Sequence, residues 1–174
     1  MHVMEVVLGL VPGLDGCWAL DRFTDAHHGP TSTAMSVGRA RALPARGDAR
    51  VADELARGMA DVVQRRRLPR DVVVAAVPSA NPLSADLAAR VADLLGRSSA
   101  PLLGVRAGWF GKLDGQVRGR ITVKVRTSPP HVLLVDDLVH TGVTVSDCAE
   151  LLRARGAVRV WAVAAVVAGD LDPI

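Results

Sequence analysis

Residues 131–145, His-Val-Leu-Leu-Val-Asp-Asp-Leu-Val-His-Thr-Gly-Val-Thr-Val, constrain the fold of this chain more than any other stretch. The apolar run 132–135 has no polar side, so the strand it forms must be covered on both faces, as in the interior of a parallel sheet. Two carboxylates, Asp136 and Asp137, end that run, and a short turn containing Gly142 leads into a segment of helical spacing. A buried strand passing directly into a helix is the repeating unit of an open, mainly parallel α/β sheet with helices on both faces. Ligands of such sheets gather at the carboxyl ends of the strands, which is where this segment places its polar residues.

The surrounding sequence keeps the same rhythm. Val51, Leu55, Met59, Val62 and Val63 recur at helical spacing and predict a helix over 48–67, with Asp48 as its N-cap. A β-branched run at 71–77, closed by Pro78, predicts a buried strand, and Leu83, Leu87, Val91, Leu94 and Leu95 a helix ending near Gly96. Further strands are expected at 101–105, 121–125, 131–135 and 158–167, with a helix over 144–155. Residues 1–47 read as irregular, apart from a strand within 3–11 that Pro12-Gly13 and Asp15-Gly16 interrupt. The expected division is an N-terminal hood over 1–47, a core over 48–168 and a tail over 169–174, forming one domain.

Composition narrows the function classes. The chain has 174 residues, 22% of them charged, which fits one globular domain and argues against global disorder. Its formal net charge is +3, but it has three Trp, two Phe and no Tyr. The basic run Arg65-Arg66-Arg67 with Arg70 follows a predicted helix, where it complements the helix dipole and faces water, so a nucleic-acid partner is not expected. Cys17 and Cys148 have no metal-site spacing, and Cys148 reads as a small buried hydrophobe. The run 158–168 is about half a membrane span and reads as a strand, so a cytoplasmic protein without a membrane partner is expected.

The acid pair carries the chemistry. Adjacent carboxylates repel each other and call for hydroxyl donors, a cation or both, which a ribose diol with Mg²⁺ nearby supplies. The turn His140-Thr141-Gly142-Val143-Thr144 opens a helix, and its free N–H groups and two hydroxyls make an anion cradle. An Asp-Asp turn capping the next helix would account for one acid but not for two beside such a loop. Acids suited to a sugar and a cradle suited to a phosphate, a few residues apart, specify a sugar phosphate. The Gly-Lys-Ser/Thr of a Walker-type loop is absent.

This segment resembles the phosphoribosyl pyrophosphate (PRPP) motif of type I phosphoribosyltransferases: four hydrophobics, two acids, two hydrophobics, then a short Thr-Gly phosphate loop. The resemblance implies that Asp136 and Asp137 contact the ribose hydroxyls and the Mg²⁺ bound with PRPP. It also implies that His140, Thr141, Gly142, Val143 and Thr144 hold the 5′-phosphate. A weaker resemblance in the order of elements extends over about 48–167. His140 departs from the pattern, since many members have Thr there; it is either a general acid or base or a tolerated loop substitution.

Two other family landmarks have candidate positions. A pyrophosphate loop falls on Pro78, Ser79, Ala80 and Asn81, without the Arg or Lys found in many such loops. A loop that closes over the reacting centre falls on 107–120, with Lys112, Arg118 and Arg120 as partners for the leaving pyrophosphate and Arg106 at its base. Catalysis is expected from His140, Asp137, Arg106 and Lys112. The acceptor, a nucleobase or other small nucleophile, is expected against the hood, with Trp18, Trp109 and Phe110 as stacking candidates. His27, His28 and Asp25 read as a surface loop or part of that hood. After Lys124 the chain has no lysine, which argues against the common 6-oxopurine acceptors. The expected activity is phosphoribosyl transfer from PRPP with release of pyrophosphate, in a homodimer. The alternatives are a non-catalytic PRPP or nucleotide sensor and a competence-associated accessory protein on the same fold.

Overall fold

The computed structural model describes residues 6–8, 11–25, 27, 29–42, 49–105 and 121–168. In chain order its elements are β1 (Val6–Val7), β2 (Gly16–Arg22), α1 (Ser32–Ala42), α2 (Ala49–Gln64), β3 (Val73–Ala76) and α3 (Leu83–Leu95). They continue with β4 (Leu103–Val105), β5 (Ile121–Val123), β6 (His131–Val139), α4 (Val143–Arg153) and β7 (Arg159–Val167). The central sheet runs β1-β2-β7-β6-β3, with β2, β7, β6 and β3 mutually parallel and β1 antiparallel at the edge.

Each face of the sheet is covered, as the apolar run in β6 requires. On one face Leu133 and Val135 of β6 pack with Val37 of α1, Leu55 and Met59 of α2, and Leu87 and Val91 of α3. On the other, Val132 and Leu134 meet Val145, Cys148 and Leu152 of α4. Burying one such Leu or Val contributes about 1.5–3 kcal/mol relative to exposure, so the two clusters fix which way β6 faces. The chain leaves α3 through Gly96 in the left-handed region (φ 62°), where its N–H and that of Arg97 bond back to Asp93 and Ala92.

Three regions differ from the sequence reading. Residues 16–42, expected to be irregular, supply β2 and α1. β2 lies inside the sheet beside β7, in register from Gly16 opposite Trp161 to Arg22 opposite Val167. The strand predicted at 101–105 does not join the central sheet. Ser98 and Ala100 already bond to Val74 along the free side of β3, so β4 departs and pairs antiparallel with β5 as a ribbon over the α4 face. β6 continues past Val135, carrying both acids within the strand. Among the described residues, no helix is long and apolar enough to cross a membrane.

Candidate functional site

The parallel strands end together on one edge of the sheet, and the polar residues of the site lie along it. β6 sends the chain into α4 on one face, whereas β3 sends it into α3 on the other. The crevice between these two departures is where open α/β sheets bind ligands. The acids, the turn 140–144 and the loop 78–81 all border it.

The turn after β6 is built from backbone. Gly142 takes φ 75° and serves as the N-cap of α4 with no side-chain cap, a conformation in which a Cβ would be strained. The helix's first backbone bond joins Ser146 N–H to the Gly142 carbonyl at 2.9 Å, so the N–H groups of Val143, Thr144 and Val145 precede the ladder. Together with Asp136 and residues 138–142 they border a pocket of about 120 Å³. His140, Thr141 and Val143 are exposed on its rim, and Thr144 is half-buried. A tetrahedral anion suits such a pocket, because the helix dipole and the leading N–H groups both favour negative charge there.

The acid pair is built from side chains and is closed. Asp137 is 1% exposed, and its carboxylate is held by the guanidinium of Arg41, with Nε donating to Oδ2 at 2.5 Å and Nη2 to Oδ1 at 2.7 Å. The fork raises the Arg41 pKa still further, chiefly through its hydrogen bonds to Asp137. Asp136, 8% exposed, accepts from Ser84 Oγ at 3.0 Å and from the Asp137 N–H at 2.9 Å. Burial, with the neighbouring Asp137 charge second, pushes the Asp136 carboxyl up to about 7 against the pull of the Ser84 hydroxyl.

As arranged, this donor set does not fit a divalent cation. Both Asp137 oxygens already serve one cation, whereas Mg²⁺ asks for an octahedron of oxygens. Among the described residues no group of three or more His, Cys, Asp or Glu side chains is placed to hold a metal ion.

The loop 78–81 follows β3 on the same edge and ties itself to the acid pair's partner. Asn81 donates from Nδ2 to the Arg41 carbonyl at 3.3 Å and accepts from the Leu83 N–H at 2.9 Å, capping the start of α3. Ser79 Oγ accepts the Asn81 N–H at 3.2 Å, while Ser79 and Ala80 are exposed and Pro78 is half-buried. The structure thus brings Asp136, Asp137, His140–Thr144 and the loop 78–81 to one edge. Arg106, Lys112, Arg118 and Arg120 lie outside the described residues, as do Trp109, Phe110 and His28.

Trp18 requires a correction. It sits 7% exposed in the core with the Arg66 guanidinium 5.3 Å from its ring centre, so it is a packing residue and no platform for an acceptor. Asp25 receives the His27 and Gly29 N–H groups within its own turn. Arg41 and Ser84 were missed by the sequence reading. Arg41 stands in a weakly patterned segment 96 residues from Asp137, and Ser84 is one of many serines, so nothing local marks either.

No family model matches the chain, and no curated protein matches it. Among solved structures it is similar to a hypoxanthine phosphoribosyltransferase from Staphylococcus aureus, at 15% identity and a TM-score of 0.46 over 65% of this chain and 61% of that one. It is also similar to a purine phosphoribosyltransferase from Pyrococcus horikoshii Ot3, at 18% identity and a TM-score of 0.46 over 66% and 71%. A third is the hypoxanthine-guanine phosphoribosyl transferase of L. donovani, at 20% identity and a TM-score of 0.40 over 65% and 67%. This chain spans 61% of the length of the first of these.

Proposed function

We propose that the chain binds Mg²⁺-PRPP at the carboxyl edge of β6 and transfers its phosphoribosyl group to a small nucleophile, releasing pyrophosphate. The observation that carries this reading is the juxtaposition of two buried carboxylates with a glycine-capped helix start and a pocket of about 120 Å³. Acceptors for hydroxyls at the end of β6 and donors for a phosphate on the turn after it, a few residues apart, match the two ends of a 5-phosphorylated ribose. Mg²⁺ enters as part of the substrate on its pyrophosphate, and Ser79 and Ala80, exposed on the same edge, are the local groups that would face the leaving group.

In this reading the protein's own residues act mainly by position and charge. The α4 N-terminus holds the 5′-phosphate, the acids orient the ribose, and an acceptor attacks C1 from the opposite side to the departing pyrophosphate. His140, on the rim of the pocket, is the group available to exchange a proton with the acceptor. Arg106, Lys112, Arg118 and Arg120 are proposed to neutralise the leaving group from the segment that follows β4. The test is release of pyrophosphate from PRPP and Mg²⁺ across a panel of nucleobases, amines and aromatic acids. Turnover with one acceptor that is lost in Asp136→Asn/Asp137→Asn supports the reading. PRPP binding without turnover on any acceptor would move it to a sensor.

A further inference from the structure

The strand-edge crevice has one open half and one shut half, and a single side chain shuts it. α1 lies along the carboxyl edge and is fastened at both ends. At its start, Thr33 Oγ1 donates to the buried Asp21 carboxylate at 3.0 Å, and Thr31 Oγ1 donates to the Arg22 carbonyl at 2.8 Å. At its end, Arg41 reaches the buried Asp137 with both arms of its fork, and Asn81 holds the Arg41 carbonyl. The start is pinned by neutral hydroxyls, that of Thr33 buried and that of Thr31 half-buried, whereas the Arg41 side chain is 36% exposed. The Arg41 end is therefore the one that water and solutes can reach.

We propose that Arg41 is an internal occupant of the diol half of the site, a latch that a sugar's vicinal hydroxyls must displace from Asp137. This rests on the phosphoribosyl reading and adds a regulation to it. The argument is one of access. A carboxylate has about four lone-pair sites on its two oxygens; the bidentate guanidinium takes one on each Asp137 oxygen, and burial to 1% exposure covers the rest. Ser84 Oγ stands 3.4 Å from Asp137 Oδ1 and 3.0 Å from Asp136 Oδ1, so its single proton is committed to the pair from within. With the fork in place, Asp137 presents no surface to a ligand. The phosphate pocket beside it, bordered by residues 138–145 and Asp136, contains no part of Arg41 and is open in the same state.

Binding is then sequential. The phosphate seats first in the open half, and the diol follows only when Arg41 leaves Asp137. A ligand whose competent state is a minor one loses affinity by the fraction populated, so removing the latch restores it. The latch also keeps divalent cations from the acids, because a guanidinium already neutralises them.

The test compares the full chain with Arg41→Ala and with Arg41→Lys, which keeps the charge but loses the fork. Calorimetry is run with ribose 5-phosphate, 2-deoxyribose 5-phosphate and inorganic phosphate; Mn²⁺ binding to the ligand-free protein is read by water-proton relaxation. Arg41→Ala is expected to tighten ribose 5-phosphate by about tenfold or more. The gain should be smaller for the deoxy sugar, which lacks the vicinal pair, and absent for inorganic phosphate. Mn²⁺ affinity should rise in Arg41→Ala and fall back when Asp137→Asn is added. Arg41→Lys should lie between, and it carries the test if Arg41→Ala does not fold.

Unchanged or weaker ribose 5-phosphate binding in Arg41→Ala overturns the latch, and weaker binding assigns Arg41 to the ligand instead. Equal Mn²⁺ binding in the two proteins overturns it as well. If Mn²⁺ affinity rises but no variant binds ribose 5-phosphate, Arg41 still occludes Asp137, but the phosphoribosyl reading fails and with it the sugar as the displacing ligand.

Discussion

The turn 140–144 and the acid pair are neighbours on one strand end, yet they are made in opposite ways. The turn 140–144 offers main-chain N–H groups at a glycine-capped helix start, and its conformation depends on residues close in sequence. The acid pair depends on Arg41 from α1 and Ser84 from α3, elements far away along the chain. A backbone site needs no partner to exist and stands open. A side-chain site of two buried acids cannot stand open without uncompensated charge, so the fold supplies an internal cation.

Substitutions on the two halves should separate them. The largest effect is expected from Arg41→Ala, which removes the cation paired with an Asp137 carboxylate that is 1% exposed with the fork in place. Breaking one side of a buried pair costs about 3–5 kcal/mol, and the partial exposure of Arg41 puts the expected loss near the lower end, about 3 kcal/mol by urea denaturation. A loss under about 0.5 kcal/mol, the range of ordinary surface changes, would erase the contrast between the halves.

On the backbone side, Gly142→Ala forces a Cβ into φ 75°, which costs about 1–2 kcal/mol. It should also weaken inorganic phosphate binding, because relief of the strain rotates the leading N–H groups out of the pocket. Full phosphate affinity in a folded Gly142→Ala protein would show that the cradle is not what holds the anion.

The smallest effect, taken per pH unit, is a slope in stability against pH. Asp136 in the folded chain is raised from 3.8 to about 7, so between these values the native state binds more protons than the unfolded state. Its contribution is present in full below about pH 4 and is lost as pH rises toward 7, at no more than about 1.4 kcal/mol per pH unit. Asp136→Asn should remove that decline, seen as the difference between the two stability-against-pH curves. Parallel curves from pH 4 to 8 would mean that the carboxyl titrates normally.

These contrasts also govern what the sequence disclosed. β6, the turn and α4 were legible because an uninterrupted apolar run, two acids and a glycine before helical spacing each act locally. The alternation from α2 to β7 followed from patterned Val and Leu. β2 was missed although Cys17, Trp18, Ala19 and Leu20 are an apolar run between turn residues, a signal that mixed residue types obscured. α1 was missed for another reason. Its buried positions, Thr33, Ala34, Val37 and Ala40, are small, so its inward face carries little hydrophobic contrast, and Gly38 lowers its helix propensity. The closed state of the acids was invisible for the same reason, since its key residue belongs to that helix.

The way the sheet terminates has a consequence for how the protein behaves in crowded solution. On one side the outermost strand is β1, two residues long, and on the other the segment through Ser98 and Ala100 takes up the hydrogen-bonding groups of Val74. An apolar parallel sheet with bare rims would be a template for strand addition by a second chain. Among the described residues the interior strands β6 and β7 are flanked on both sides, and edge-to-edge growth meets a two-residue ledge on one rim and, on the other, a border occupied at Val74.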